Sequence, residues 1–99
     1  MSSPYLLSPM AEADLADIWI YTARDWSAEQ AEHYTNYIIN VFEEIALDHK
    51  TGITVDFREG YRKVFVGHHA IYFKRHGEFI TTIRVLHQSM DVERHLSSR

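Results

Sequence analysis

The chain has 99 residues and a formal net charge of −4, and 45% of its residues are hydrophobic. This length suits a single domain, and the composition is typical of a globular protein rather than a disordered one. The sequence contains no cysteine, which excludes disulfides and thiolate chemistry. We therefore expect one domain over residues 1–96 and a disordered tail at residues 97–99.

The N-terminal segment predicts a short strand followed by a helix. It has no basic region and no long apolar run, so we expect no signal peptide, no membrane span and a cytoplasmic location. The run PYLL at residues 4–7 is long enough for an edge strand. Ser8 and Pro9 then suit the cap and first residue of a helix that breaks near Asp25 and Trp26. Its amphipathic stripe comprises Ala11, Leu15, Ile18, Trp19 and Thr22.

A second helix is predicted to start directly after the first one ends. Ser27 and Gln30 fit a capping box, in which the serine caps the helix and the glutamine reaches back to the serine amide. We expect the helix to end in the segment DHKTG (48–52), where Gly52 can take the left-handed conformation. The short link between the helices predicts an antiparallel helical hairpin. The second apolar stripe comprises Ala31, Tyr34, Ile38, Val41, Phe42 and Ile45.

The second half of the chain changes to the period of β-strands. Three segments rich in β-branched and aromatic residues, 61–66, 69–75 and 79–87, are separated by turn sequences and predict a meander. The loop at 54–60 is charged and irregular. Alternation places Val64, Val66, Ile71, Phe73, Ile83 and Val85 on the helix-facing side. The opposite face is then expected to carry Lys63, Phe65, Tyr72, Lys74, Arg84 and Leu86.

The predicted order is therefore β-α-α-β-β-β, an α+β fold in which a helical hairpin packs on a small antiparallel sheet. Charge is divided unevenly between the two halves. Residues 1–50 contain nine acidic and two basic residues, whereas residues 51–99 contain eight basic and five acidic residues. This asymmetry is expected either from two faces with different partners or from ordinary solvated helices beside an ordinary sheet surface.

The sequence offers little support for common catalytic or metal sites. His68 and His69 are the densest histidine pair, but neighbouring strand residues point to opposite faces, so we expect turn or surface histidines and no metal. There is no Gly-x-Ser-x-Gly elbow and no glycine-rich phosphate loop, and we expect no cofactor. Tyr72 is a candidate for base stacking on the basic sheet face. The acidic total argues against strong direct binding of nucleic acid by the protein alone.

His87 and Gln88 follow the last apolar strand positions near the C-terminus. One interpretation is a hydrogen-bonded strand end that orients the following Met90–Asp91 turn. The other is a direct contact with a target. The residues alone leave both interpretations open.

Three segments together resemble the ParE-type toxins of the RelE/ParE superfamily: LSPMAEADLADIWIYTARDW (7–26), EGYRKVFVGHHAIYFKR (59–75) and IRVLHQSMDVERHL (83–96). They occur in the right order and spacing and span nearly the whole chain. The resemblance implies the same β-α-α-β-β-β fold. It also implies a growth-arresting toxin of a type II toxin–antitoxin module that poisons DNA gyrase without catalysis and is neutralised by a ParD-type antitoxin.

On this resemblance, we expect the target to contact the basic strands and the segment after them. The residues expected to bind the target are Arg62, Lys63, Lys74, Arg84, His87, Gln88, Met90 and Asp91. We expect a partner segment of the antitoxin to lie across the helical hairpin and along the sheet, either as a helix or as an added strand. The antitoxin contacts expected are Leu15, Trp19, Tyr37 and Phe65, since aromatic anchors dominate interfaces.

Two other functions remain open. The RelE branch of the superfamily comprises ribosome-dependent mRNA endonucleases, which need bases near the scissile phosphate and a proton donor. Arg62, Arg84 and His87 would serve such a reaction here, although the acidic balance and the SMD sequence after Gln88 are ParE-like. The third possibility is a degenerate module that binds its antitoxin and has lost toxicity.

Overall fold

In the computed structural model, which describes residues 5–56 and 58–89, a serine begins each helix as predicted. The Ser8 hydroxyl accepts a hydrogen bond from the Ala11 amide at 3.0 Å and donates one to the Ile83 carbonyl at 2.7 Å. The Ser27 hydroxyl accepts from the Gln30 amide at 3.0 Å. Each cap satisfies an amide that the first helical turn leaves unpaired, and the first cap also joins its helix to the sheet.

The predicted α+β fold with a helical hairpin on a sheet is confirmed, with one additional strand. The elements in chain order are β1 (Tyr5–Leu7), α1 (Pro9–Asp25), α2 (Ala28–Ala46), β2 (Ile53–Thr54), β3 (Tyr61–Val66), β4 (His69–His76) and β5 (Phe79–His87). None of the helices in this described part of the chain is long and apolar enough to cross a membrane. The expectations for Met90, Asp91 and residues 97–99 lie outside the described residues.

The end of α2 differs from the prediction. The helix ends at Ala46, and Asp48 takes the left-handed conformation with φ of 67°. The Arg75 side chain explains why the chain turns there, because its guanidinium donates to the Ile45 carbonyl at 2.7 Å and lies 3.7 Å from an Asp48 carboxylate oxygen. Gly52 is also left-handed, with φ of 71°, but it turns the chain into β2.

The sheet has the order β1-β5-β4-β3-β2 and is mixed rather than wholly antiparallel. β1 runs parallel to β5, and the other neighbouring strands are antiparallel. β2 occupies part of the segment predicted as a loop. Arg62 holds this segment beside β3, because its side chain donates to the Thr51 and Gly52 carbonyls at 2.6 and 2.9 Å.

An irregularity in β5 overturns two of the predicted side-chain directions. Tyr72 pairs with Arg84 and Phe73 pairs with Thr82, so Ile83 is an extra residue in the ladder. At such a bulge the alternation of side chains between the two sheet faces shifts by one residue. Ile83 therefore packs with the cluster on the face away from the helices, and the Arg84 side chain turns to Asp14 on α1.

The main core lies between the helical hairpin and the inner sheet face. Its largest fully buried side chains include Phe42, Phe73 and Ile38. Tyr5 on the edge strand packs against Phe42 with ring centroids 5.4 Å apart. Both predicted helical stripes contribute to this core, which fixes the helices across the sheet. The full set of buried core residues is Ile18, Ile38, Val41, Phe42, Ile45, Ala46, Val64, Val66, Ile71, Phe73, Ile80 and Val85.

Candidate functional site

Three histidines gather at one end of the sheet. His68 lies in the two-residue turn after β3. His69 is the first residue of β4 and pairs with His87, the last residue of β5. The His69 and His87 rings meet edge to face with centroids 5.2 Å apart, and the His68 and His87 rings stack at 6.3 Å. Strand register therefore brings His87 beside the adjacent His68 and His69, and these three residues are called the histidine cluster below.

Tyr34 on α2 fixes the histidine cluster to the helices. Its hydroxyl lies 2.7 Å from His69 Nδ1 and accepts a hydrogen bond from the His68 amide at 3.0 Å. Burial lowers the pKa of His69 to about 4, and the neighbouring His87 and His68 lower it further. Burial also raises the pKa of Tyr34. At neutral pH both groups are therefore uncharged, and the phenol and the imidazole share a hydrogen bond.

His87 and Gln88 make local hydrogen bonds. His87 Nδ1 accepts from the Ser89 amide at 3.1 Å and lies 2.8 Å from the Ser89 hydroxyl. The Gln88 amide donates to the His68 carbonyl at 3.0 Å, and its side chain donates to the Gly67 carbonyl at 3.1 Å. These bonds tie the end of β5 to the β3–β4 turn. Contact of these residues with a target remains a prediction.

The outer sheet face, which carries Tyr61, Lys63, Phe65 and Lys74, combines bases with aromatic rings. The Lys63 ammonium lies 5.1 Å from the centroid of the Phe65 ring, and the Lys74 ammonium lies 5.8 Å from that of Tyr61. Phe65 is 54% exposed. The two predicted lysines therefore do share a surface, and aromatic faces hold their charges in place.

The two predicted arginines are used inside the molecule instead. Arg62 binds the carbonyls that precede β2, as described above. Arg84 donates to both carboxylate oxygens of Asp14 at 2.8 and 2.9 Å, a bidentate pair. This hydrogen bond raises the pKa of Arg84 above its ordinary value. Arg62, Arg84 and His87 thus each bind a different part of the chain.

The residues expected to contact the antitoxin differ in exposure. Leu15 packs against the main core, and Trp19 is half-buried. Tyr37 and Phe65 are 51% and 54% exposed. The expected antitoxin contacts did not include Trp26, the most exposed aromatic residue in the described part of the chain, which follows α1, or the exposed Ile20 and Tyr21 on α1.

Sequence reasoning also missed a cleft of about 520 Å³ between α1 and the ends of β4 and β5. Successive turns of α1 place Asp17, Tyr21 and Asp25 along it, and this four-residue spacing was a readable signal. The residues lining this acidic cleft are Asp14, Asp17, Ile18, Tyr21, Thr22, Asp25, His69, Val85, His87 and Ser89. Within residues 5–56 and 58–89, no group of three or more His, Asp or Glu side chains is arranged to hold a metal ion.

Comparison with known proteins finds one family over most of the chain. The family described as ParE toxin of type II toxin-antitoxin system, parDE, matches residues 5–92. Toxin ParE1 of Mycobacterium tuberculosis (strain CDC 1551 / Oshkosh) is 43% identical over 98 residues, which cover 97% of this chain and 100% of the relative. Toxin ParE1 of Caulobacter vibrioides is 42% identical over 94 residues, covering 94% and 97%.

A solved structure also shares the fold. The structure titled "Chromosomal ParDE TA system from P. aeruginosa" superposes with a TM-score of 0.75 over 86% of this chain and 95% of that one. The two sequences are 17% identical, so this likeness concerns the fold alone.

Proposed function

This chain belongs to the ParE toxin family of type II toxin–antitoxin systems, and we propose that it poisons DNA gyrase in the cytoplasm until a ParD-type antitoxin neutralises it. The observation that carries this proposal is similarity over nearly the full length to toxins named ParE1, at 43% and 42% identity. The family match covers both helices and all five strands.

We further propose that the toxin acts without catalysis. An RNase mechanism needs cations free to stabilise charge at the scissile phosphate. The bidentate bond of Arg84 to Asp14 and the carbonyl bonds of Arg62 occupy the two arginines that such a mechanism would use. The Nδ1 atom of His87 already accepts a hydrogen bond from Ser89. These contacts favour a binding surface over an active site.

The proposed gyrase contact is the outer sheet face together with the segment that follows β5. Lys63 and Lys74 attract the phosphates of gyrase-bound DNA, whereas the acidic helices would be repelled by them. His87, Gln88, Met90 and Asp91 remain proposed contacts beside this surface. Arg62 and Arg84 act in this proposal by holding the strands in place.

The proposed antitoxin contacts are the exposed Tyr37 and Phe65, which can be buried by a partner at little cost in desolvation. Leu15 and Trp19 on α1 offer less accessible surface, because Leu15 packs against the protein's own core and Trp19 is half-buried. They are proposed to support the shape of the hairpin surface that the partner covers.

Induction of the protein in bacteria, with and without the adjacent reading frame, tests the proposed function. We expect growth arrest with filamentation and induction of the DNA-damage response, and purified protein should increase the DNA cleaved by gyrase in vitro. The adjacent reading frame should restore growth and co-purify with the toxin. Rapid translation arrest with cut mRNA codons would instead establish the nuclease. Harmless expression alongside a stable antitoxin complex would establish the degenerate module.

A further inference from the structure

The acidic cleft between α1 and the ends of β4 and β5 borders the proposed gyrase contact at His87 and Ser89, but its acidic and aromatic side chains on α1 take no part in that contact. It lies beside the histidine cluster, away from Lys63 and Lys74 on the outer sheet face. Its base is apolar, because it is formed by Ile18 and Val85, which are 7% and 2% exposed. Its rim is open, since Tyr21 is 58% exposed. An apolar base with an exposed aromatic rim is typical of a surface that takes up side chains of a partner.

The charge of this cleft is negative and largely uncompensated. Asp17 and Asp25 are exposed and have no ion pair in the described part of the chain. Asp14 is already bound by Arg84. His69 on the opposite wall does not balance the two free carboxylates, because burial lowers its pKa to about 4 and the ring is neutral at physiological pH. A cationic ligand is therefore favoured at the rim.

The nearest base on α1 does not fill this role. The Arg24 guanidinium lies 4.8 Å from the centroid of the Tyr21 ring, on which it forms a cation–π contact. It makes no ion pair with Asp17 or Asp25 within the described residues. The Tyr21 ring therefore shows that a guanidinium can be held at the rim of the cleft.

We infer that the acidic cleft binds a basic, amphipathic segment of the antitoxin. This inference rests on the proposed function, and it assigns a second docking surface in addition to Tyr37 and Phe65. Apolar side chains of the segment pack on the exposed Tyr21 ring above the buried Ile18 and Val85, while lysine or arginine side chains pair with Asp17 and Asp25. Charge complementarity selects this occupant, because the first fifty residues of the toxin carry nine acidic and two basic residues.

The test compares two toxin variants that lose the same charge. Asp17→Asn combined with Asp25→Asn removes the carboxylates of the cleft. Glu32→Gln combined with Glu43→Gln removes two exposed carboxylates of α2 that do not line it. Binding to the purified antitoxin is measured by titration at low and high salt, with circular dichroism confirming the fold. We expect the cleft variant to bind about tenfold more weakly at low salt and to lose much of its salt dependence.

The outcomes separate this inference from the proposed function. We expect the control variant to bind within about twofold of wild type. Unchanged or tighter binding by the cleft variant, with wild type binding normally, would show that the cleft is not a docking surface for a basic segment. An equal loss of affinity in both variants would show that binding depends only on the overall charge of the toxin, and it would also overturn the inference. Failure of wild type itself to bind the antitoxin would contradict the proposed function instead.

Discussion

Asp14 connects the first helix to the last strand more directly than any other polar residue that the structure describes. Its carboxylate accepts both bonds of the Arg84 guanidinium and the amide of Val85, at 2.8 to 2.9 Å. The Asp14 and Arg84 side chains are 13% and 12% exposed. A largely buried pair of this kind is costly to break, because the remaining charge keeps its desolvation penalty without its partner.

Replacing Asp14 with asparagine should therefore destabilise the protein by about 2–3 kcal/mol, since it leaves Arg84 with a neutral partner. The free energy of unfolding in urea measures this effect. Asp17→Asn, at an exposed position on the same helix, is the matched control and should change stability by less than about 0.5 kcal/mol. Similar values for the two variants would show that the Asp14–Arg84 pair does not contribute to stability.

His69 should make the stability of the protein depend on pH. Its pKa in the folded protein is about 4, compared with an ordinary value of 6.5. The unfolded chain binds a proton between these two pH values that the folded protein does not, so the free energy of unfolding should fall as pH decreases from 6.5 towards 4. In His69→Asn this decrease should be smaller. Urea midpoints measured across that range, with His33→Asn as the exposed control, test the assignment.

At the scale of the elements, the two β-hairpin turns offer a comparison at matched backbone conformation. Gly67 and Gly77 both have positive φ, 58° and 63°. A Cβ at Gly67 would lie 2.5 Å from the Tyr34 hydroxyl, whereas a Cβ at Gly77 would have no heavy atom within 4 Å. Both alanine variants incur left-handed strain of about 1 kcal/mol, but only one displaces the phenol that holds the histidine cluster.

We therefore expect Gly67→Ala to lower the free energy of unfolding by about 1–3 kcal/mol more than Gly77→Ala does. Equilibrium unfolding of the two variants gives this difference directly. In Gly67→Ala the displaced Tyr34 should also weaken the pH dependence assigned to His69. Equal destabilisation by the two substitutions would mean that Tyr34 moves aside without cost.

The sequence predicts the elements that local signals control. Ser8 and Ser27 cap their helices, and runs of β-branched and aromatic residues between turn sequences identify β3 and β5 over their full lengths. The bulge at Ile83 could not be predicted, because the ITTIRV segment (80–85) can place apolar residues on the helix-facing side in either register. The Asp14–Arg84 pair joins residues 70 positions apart, and no local pattern encodes such a contact. The alternation of side chains along the strands predicted that Lys63 and Lys74 share a sheet face. The acidic cleft, in contrast, arises from tertiary packing between α1 and the sheet.

At the scale of the whole molecule, the charges separate into an acidic helical layer and a basic, aromatic outer sheet face. If that sheet face contacts gyrase-bound DNA, removal of its lysines should affect toxicity without affecting neutralisation. Lys63→Ala combined with Lys74→Ala should lower gyrase-dependent DNA cleavage about tenfold or more, since two phosphate contacts are lost. Cleavage assays at several salt concentrations measure this loss.

Arg24→Ala combined with Lys50→Ala removes the same charge from the helical half and serves as the control. We expect this variant to retain most gyrase poisoning, because Arg24 lies on α1 and Lys50 lies in the loop beside Lys63 rather than on a strand of the outer sheet face. Both double variants should still form the antitoxin complex. Full toxicity of the Lys63 and Lys74 variant would move the target contact away from the outer sheet face.

The parallel pairing of β1 with β5 has a consequence for the synthesis of the toxin. Among the described residues, β1 (Tyr5–Leu7) pairs only with residues 80–82, and the Ser8 hydroxyl donates to the Ile83 carbonyl 75 positions later. Contacts between residues so far apart in sequence form late in folding, because closing the long loop between them costs conformational entropy before the contacts stabilise the chain. A nascent chain therefore cannot complete its sheet until β5 has emerged.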